Sequence, residues 1–211
     1  MSDIRKKLEG FCTKNQISLI QQGGILHKQL LETQKLLTED FEVFSQSRFS
    51  VRDFGDTPIS MVQIKKALKM CERTPTACNR QSVRIHIFSK SDDKNKMFRL
   101  QMGCKGFEND MQCAILICGD MANYQFYEYS TLFTDGGIYA MNLLYALHRE
   151  GLAAIPLTMG SKFGNLKRVK KGMNLPDNEI PILLIGVGSY KAEYKVAESH
   201  RFDYSTYCSF H

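Results

Sequence analysis

Ser45-Gln46-Ser47-Arg48-Phe49-Ser50-Val51-Arg52-Asp53-Phe54 lies between two segments that read as helices, and its alternation decides how the rest of the chain is read. Arg48, Ser50 and Arg52 stand two residues apart, so an extended backbone turns all three to one side. Two guanidinium forks and a hydroxyl facing one way form a seat for a phosphate. The same residues also fit a solvated basic loop, since most surface arginines contribute little. The two readings are separated by what stands elsewhere in the chain.

With 211 residues the chain is long enough for one well-packed domain plus an appendage. Its 43% hydrophobic and 24% charged residues are those of a globular protein rather than a disordered one. The net charge of +6 would permit binding to nucleic acid, but the only dense basic run is Lys167-Arg168-Val169-Lys170-Lys171, which reads as a solvated helix face. No nucleic-acid partner is expected. The first sixteen residues are broken by Arg5, Lys6, Lys7, Glu9, Lys14 and Asn15, and the apolar run Ile182–Val187 is too short for a bilayer. No membrane partner and a cytoplasmic location are expected. Seven cysteines without a Cys-x-x-Cys pair fit a reducing compartment, and five scattered histidines without His-x-x-x-His lead us to expect no metal.

Along the chain, residues 1–38 read as an N-terminal helical extension, with Ile17, Leu19, Ile20, Leu26, Leu30 and Leu37 forming a loose stripe interrupted by Gly23-Gly24. A short helix follows from about Asp40 to Gln46. Thr57 as N-cap and Pro58 at the first helical position predict a helix through about Arg73. Strands are predicted at Val83–Phe88, Cys113–Cys118, Leu152–Leu157 and Ile180–Val187, and helices at 92–102, 136–150 and 164–173. The aromatic segment from Met121 to Phe133 reads as a core or dimer-interface patch, or as a lid over a pocket. The tail from Ser189 to His211 reads as an extended arm. Few strands around a central helix make an α+β domain, and long terminal segments with no home in one subunit suggest arms exchanged across a homodimer.

Several known motifs are absent. Gly186-Val187-Gly188 follows a strand, yet Lys191 replaces the third glycine of a dinucleotide loop. Neither a P-loop nor a Gly-x-Ser-x-Gly elbow is present. A second polar cluster, Asn79 and Gln81, precedes a strand. A carboxamide offers donor and acceptor together, which suits the polar edge of a flavin ring, although a satisfied turn uses the same residues.

Arg48-Phe49-Ser50-Val51-Arg52-Asp53-Phe54 resembles the opening motif of the FMN-dependent nitroreductases, Arg-Arg-Ser-(Val/Ile)-Arg-x-Phe. Pro75-Thr76-Ala77-Cys78-Asn79-Arg80-Gln81 is similar to their Pro-Ser-x-x-Asn-x-Gln segment. Asp135-Gly136-Gly137 through Gly151-Leu152 resembles their central helix and its exit, and Ile185-Gly186-Val187-Gly188 with Arg201 resembles their last core strand and basic tail. The four motifs stand in the family's order over residues 40–205. The resemblance implies a nitroreductase-like α+β fold over residues 39–211, with a central, mostly antiparallel sheet flanked by helices, in an arm-exchanged homodimer.

It further implies FMN as cofactor and NADH or NADPH as electron donor, with a nitroaromatic, quinone or similar small-molecule acceptor reduced in a ping-pong cycle. Arg48, Ser50 and Arg201 would hold the phosphate with Ser199 nearby, and Arg52 would reach the flavin edge or the pyridine nucleotide. Pro75, Thr76, Asn79 and Gln81 would form the loop at the polar edge, and Pro156, Leu157 and Thr158 would run beside the ring. Tyr124, Phe126 and Tyr127 would line the acceptor pocket. No catalytic side chain is named, because protein groups would orient and tune. The chain departs from the family at Ser82-Val83, where Pro-Trp is usual, and at Thr158, where an acidic residue often follows. Relatives that dehalogenate aromatics or fragment flavin, and a non-catalytic FMN-binding protein, are the alternative readings.

Overall fold

A computed structural model describes residues 2–14, 40–159, 163–197, 199 and 201–211. Two compact units divide the chain between Phe41 and Glu42. The first contains helix α1 (Ser2–Lys14), and the rest of the predicted N-terminal stripe, from Ile17 to Leu37, lies outside the described residues. All further elements belong to the second unit, apart from the first residue of α2 (Phe41–Ser47).

Among the described residues five strands, all paired antiparallel, form the sheet: β1 (Phe54–Gly55), β2 (Val83–Phe88), β3 (Cys113–Asp120), β4 (Leu152–Thr158) and β5 (Glu179–Tyr190). β5 is its spine. β3 pairs with it from Glu179 to Val187, and β4 pairs with it from Leu183 to Ser189. Ser189 is also opposite Gly55, so β1 and β4 must take opposite sides of that residue. β2 completes the sheet beyond β3.

The run Cys113–Asp120 is buried along its whole length because helices cover both faces. Ala114, Leu116 and Cys118 point into a core with Met97 and Phe98 of α4 (Ser91–Gln101) and Val169 of α6 (Phe163–Met173). Cys113, Ile115 and Ile117 point the other way, to Ile64 and Ala67 of α3 (Met61–Met70) and Leu143 and Leu147 of α5 (Tyr129–Arg149). Burial on both faces is commonest in parallel sheets, yet here the neighbours of β3 are antiparallel. What the apolar run encodes is two covered faces, not strand direction. Pro156 lies within β4, whose ladder partner is β5, an edge position that tolerates a residue without an N–H.

Three element boundaries differ from expectation. α3 starts at Met61, not at Pro58: the Ser60 hydroxyl accepts the Val62 N–H at 3.1 Å and the Gln63 carboxamide oxygen accepts the Ser60 N–H at 3.1 Å. This reciprocal cap competes successfully with Thr57-Pro58. The residues ahead of it are held instead by Gln112, which accepts the Ile59 N–H at 2.9 Å and donates to the Thr57 carbonyl at 2.9 Å. α5 begins seven residues before Gly136 and absorbs part of the aromatic segment, with Tyr129 and Phe133 in edge contact on its first turns. The tail begins later than Ser189, because β5 continues to Tyr190.

The start of α5 crosses β3 at Gly119, where a Cβ would stand 2.3 to 2.8 Å from three side-chain carbons of Leu132, itself only 1% exposed. Gly119→Ala is expected to destabilise the protein by about 1–3 kcal/mol through overpacking. That lowers the thermal midpoint by about 2–4 °C per kcal/mol, read by calorimetry. An unchanged midpoint would show that this crossing is loosely packed. No helix among the described residues is long and apolar enough to cross a membrane.

Candidate functional site

The opening motif runs beside β4. The Val51 N–H donates to the Ala154 carbonyl at 3.1 Å, and Val51 forms a bridge with Val196 of the tail. Val51 is completely buried, which turns its neighbours in the alternation outward. The tail is drawn to this point by Asp53, whose carboxylate pairs with the Lys191 ammonium and accepts the Lys195 N–H at 3.1 Å. Those contacts, the Lys191 hydrogen bond first, hold the Asp53 carboxyl below its ordinary range.

The consequence is a cavity of about 560 Å³ lined by Arg48, Ser50, Arg52, Ser199 and Arg201, with Ser45, Gln46, Phe49 and Ala197. Three guanidiniums and several hydroxyls meet there, and among the described residues no carboxylate is in the lining. Arg48 Nη1 is buried and has no hydrogen-bond partner among the described residues. A buried cationic donor without an acceptor costs free energy unless an anion completes it. Arg201 Nη1 donates to the Ser199 carbonyl at 3.1 Å, which shapes the tail side of the cavity. A neighbouring cavity shares Ser50 and Arg52 and adds Lys105 and Lys195 against Asp53 and Asp110.

Behind the seat, α2 (Phe41–Ser47) packs on the end of α5. Phe44 contacts the rings of Tyr145 and His148, and His148 is bonded to Ser47 Oγ at 2.8 Å through Nε2 and to the Tyr190 hydroxyl at 3.0 Å through Nδ1. Burial first, then the charge of Arg48, lowers the His148 pKa, and burial pushes Tyr190 up to about 12. Both groups are therefore neutral near pH 7, and neither offers a counter-charge to Arg48.

The second cluster is a loop of unusual backbone. Cys78, Asn79 and Gln81 all have positive φ, near +50°, a conformation that non-glycine residues adopt at a cost of order 1–3 kcal/mol. Surrounding contacts hold it. The Ala77 N–H donates to both oxygens of buried Asp135, at 3.0 and 3.1 Å, and the Thr76 hydroxyl accepts the Gln81 N–H at 2.9 Å. Arg80 forms a two-pronged pair with Glu128, at 2.9 and 2.8 Å, and lies over the Tyr124 ring. The Arg80 hydrogen bond is the largest cause of the lowered Glu128 pKa. Asn79 and Gln81 are exposed, and their side chains make no hydrogen bond among the described residues, so both carboxamides are free for a ligand.

The remaining expected residues are divided between surface and interior. Pro75 is exposed and Thr76 half-buried; Pro156 is half-buried, Leu157 is in the core and Thr158 is exposed. Phe126 and Tyr127 are 93% and 83% exposed, whereas Tyr124 is buried, donating to Asp135 at 2.6 Å and bonded to Ser82 Oγ. Tyr124 thus braces the loop from behind. Asp135 and the Arg80–Glu128 pair were not singled out from sequence for this role. Their signals, a carboxylate inside an apolar helix and an arginine inside the turn, became meaningful only once the chain folded.

Residues 46–125 match the family model of the Nitroreductase family. No curated protein matches the chain. Among solved structures, an FMN-dependent nitroreductase of Clostridium difficile is 17% identical, with 79% of this chain and 96% of that chain covered and a TM-score of 0.68. A proposed NAD(P)H:FMN oxidoreductase of Staphylococcus epidermidis is 18% identical, covering 82% and 96%, with a TM-score of 0.70. A nitroreductase-like protein of Streptococcus mutans is 19% identical, covering 82% and 98%, with a TM-score of 0.69. These likenesses show a shared fold. The family model adds a sequence likeness over residues 46–125, the segment that carries the opening motif and the Asn79 loop.

Proposed function

We propose that the chain is an FMN-dependent NAD(P)H oxidoreductase that reduces nitroaromatic, quinone or similar electron-poor acceptors as a homodimer in the cytoplasm. The observation that carries the cofactor is the buried Nη1 of Arg48, without a hydrogen-bond partner among the described residues, in a cavity lined by Arg48, Arg52 and Arg201. Donors of that kind in that number fit a phosphate better than any neutral group. Arg48, Ser50 and Arg201 would hold the phosphate with Ser199, and Arg52, which lines both cavities, would serve the flavin edge or the donor.

Bound FMN would supply hydride uptake from NAD(P)H and delivery to the acceptor. The chain's own contribution is placement. Asn79 and Gln81 present donors and acceptors on a loop fixed by Asp135, so the edge they bind meets a preorganised surface. Pro156, Leu157 and Thr158 supply backbone at the end of β4, beside the opening motif. Phe126 and Tyr127 offer aromatic walls to an acceptor. Their exposure, with that of Phe202, Tyr204, Tyr207 and Phe210 in the tail, leaves apolar surface that a second copy would cover.

The test is the visible spectrum of the purified, untagged protein with FMN, before and after anaerobic NADH and NADPH. Flavin bands that bleach on donor addition are the expected result. Bands that persist with either donor would favour a flavin-binding protein without this activity, and failure to retain FMN would remove the reading altogether.

A further inference from the structure

On the α4/α6 face of the sheet, three ligand-type side chains converge from three adjacent strands. Cys118 is central on β3. His86 of β2 is level with Leu116, and Glu179 of β5 is level with Asp120, so each reaches diagonally towards Cys118 from opposite ends. His86 Nε2 and Glu179 Oε2 meet at 2.5 Å, and one ligand atom from each of the three residues lies within 4.8 Å of the others. The β3–β5 register shifts at this point: Ile117 faces Leu183 and Cys118 faces Pro181, leaving Ile182 as the extra residue. Such bulges re-aim side chains and accompany functional positions.

We propose that His86, Cys118 and Glu179 form a site for one divalent ion of the zinc class, with the fourth position open to solvent. Imidazole, thiolate and carboxylate are the ligand types zinc takes, at about 2.0–2.3 Å, which places neighbouring ligand atoms about 3.3–3.8 Å apart. The three atoms lie within a modest adjustment of that triangle: His86 and Glu179 open slightly as the ion replaces the proton between them. Cys118 Sγ is fully buried, Glu179 is nearly so and His86 remains partly exposed, which provides both a dry base and an entry path. The Phe88 ring lies nearly parallel to the His86 ring, with centroids 6.4 Å apart.

Without an ion, burial and then Glu179 raise the Cys118 thiol to about 12, while Lys170 acts in the opposite direction. Zinc takes the thiolate, so its binding releases the Cys118 proton. The ligands are separated by 31 and 60 residues or more in sequence, which is why no metal spacing is visible there. The site shares no residue with the phosphate cavity, so it stands or falls independently of FMN binding.

The experiment uses the untagged full chain in a Cys78→Ser, Cys208→Ser background, which removes the two exposed thiols. Equilibrium dialysis against zinc is expected to give about one ion per chain, and cobalt substitution a tetrahedral visible spectrum with a thiolate charge-transfer band. His86→Ala and Cys118→Ser should each weaken binding by more than about a hundredfold, since loss of an outer-shell partner alone costs about 10–100-fold. Two results would overturn the proposal: no zinc retained, or bound cobalt without the thiolate band. The cobalt spectrum decides the matter even where a core variant does not fold.

Discussion

Arg48→Met is expected to raise the thermal midpoint of the cofactor-free protein while weakening FMN binding by about 10- to 100-fold. The two effects have opposite signs because they share one cause. In the free protein the Nη1 donor is buried and has no acceptor among the described residues, and such a group costs about 1–3 kcal/mol. Methionine keeps the length of the stem and removes that penalty, so stability should increase by about 1 kcal/mol, or about 2–4 °C. In the complex the guanidinium would meet a phosphate, and hydrogen bonds to charged groups contribute about 1.5–3 kcal/mol. Scanning calorimetry without FMN and a fluorescence titration with it measure the two halves. A lowered midpoint with unchanged FMN affinity would make Arg48 a structural residue and leave the cavity without its main anchor.

The second large effect is expected at Asp135, whose buried carboxylate accepts the Ala77 N–H and the Tyr124 hydroxyl together. Asp135→Ala leaves the Ala77 N–H unpaired and the Tyr124 hydroxyl with Ser82 Oγ alone, and should cost about 3 kcal/mol, a fall of roughly 10 °C in the thermal midpoint. Asp135→Asn retains one carbonyl oxygen for the Ala77 N–H, and the Tyr124 hydroxyl can turn to accept from the new amide, so its cost should be about half as large. The loop that Asp135 holds carries Asn79 and Gln81 in positive-φ conformations. Both variants should therefore weaken FMN binding beyond their effect on the fold, with Ala the worse. Near-ultraviolet circular dichroism and FMN affinity, measured well below the melting range, separate these contributions. Equal affinities in all three proteins would show that the loop does not need this brace.

The shape of the sheet was legible because its signals are local. Cys113–Cys118 is a continuous apolar run, and only a strand covered on both faces can hide it; Gly136–Glu150 is apolar over most of a helix, and only a central helix can. The start of α3 was misread although the signal was present: Ser60 and Gln63 have capping-box spacing, but Thr57-Pro58 carries a start signal of its own. The outcome turned on Gln112, a residue 55 positions beyond Thr57, which occupies the backbone that a helix from Pro58 would have used. The short strand β1 gave no signal, since two residues carry no period.

By itself the sequence determined the elements and the outward alternation of Arg48, Ser50 and Arg52, because both depend on residues within a few positions of one another. It also carried the resemblance that named Arg201 as their companion. Only the tertiary structure decided that Asp53 draws the tail beside the opening motif and that Asp135 stands beneath the Asn79 loop. It alone brought His86, Cys118 and Glu179 together across three strands. Hydrogen bonding and charge act over a few ångströms in space, whatever the separation along the chain, so those meetings required the fold.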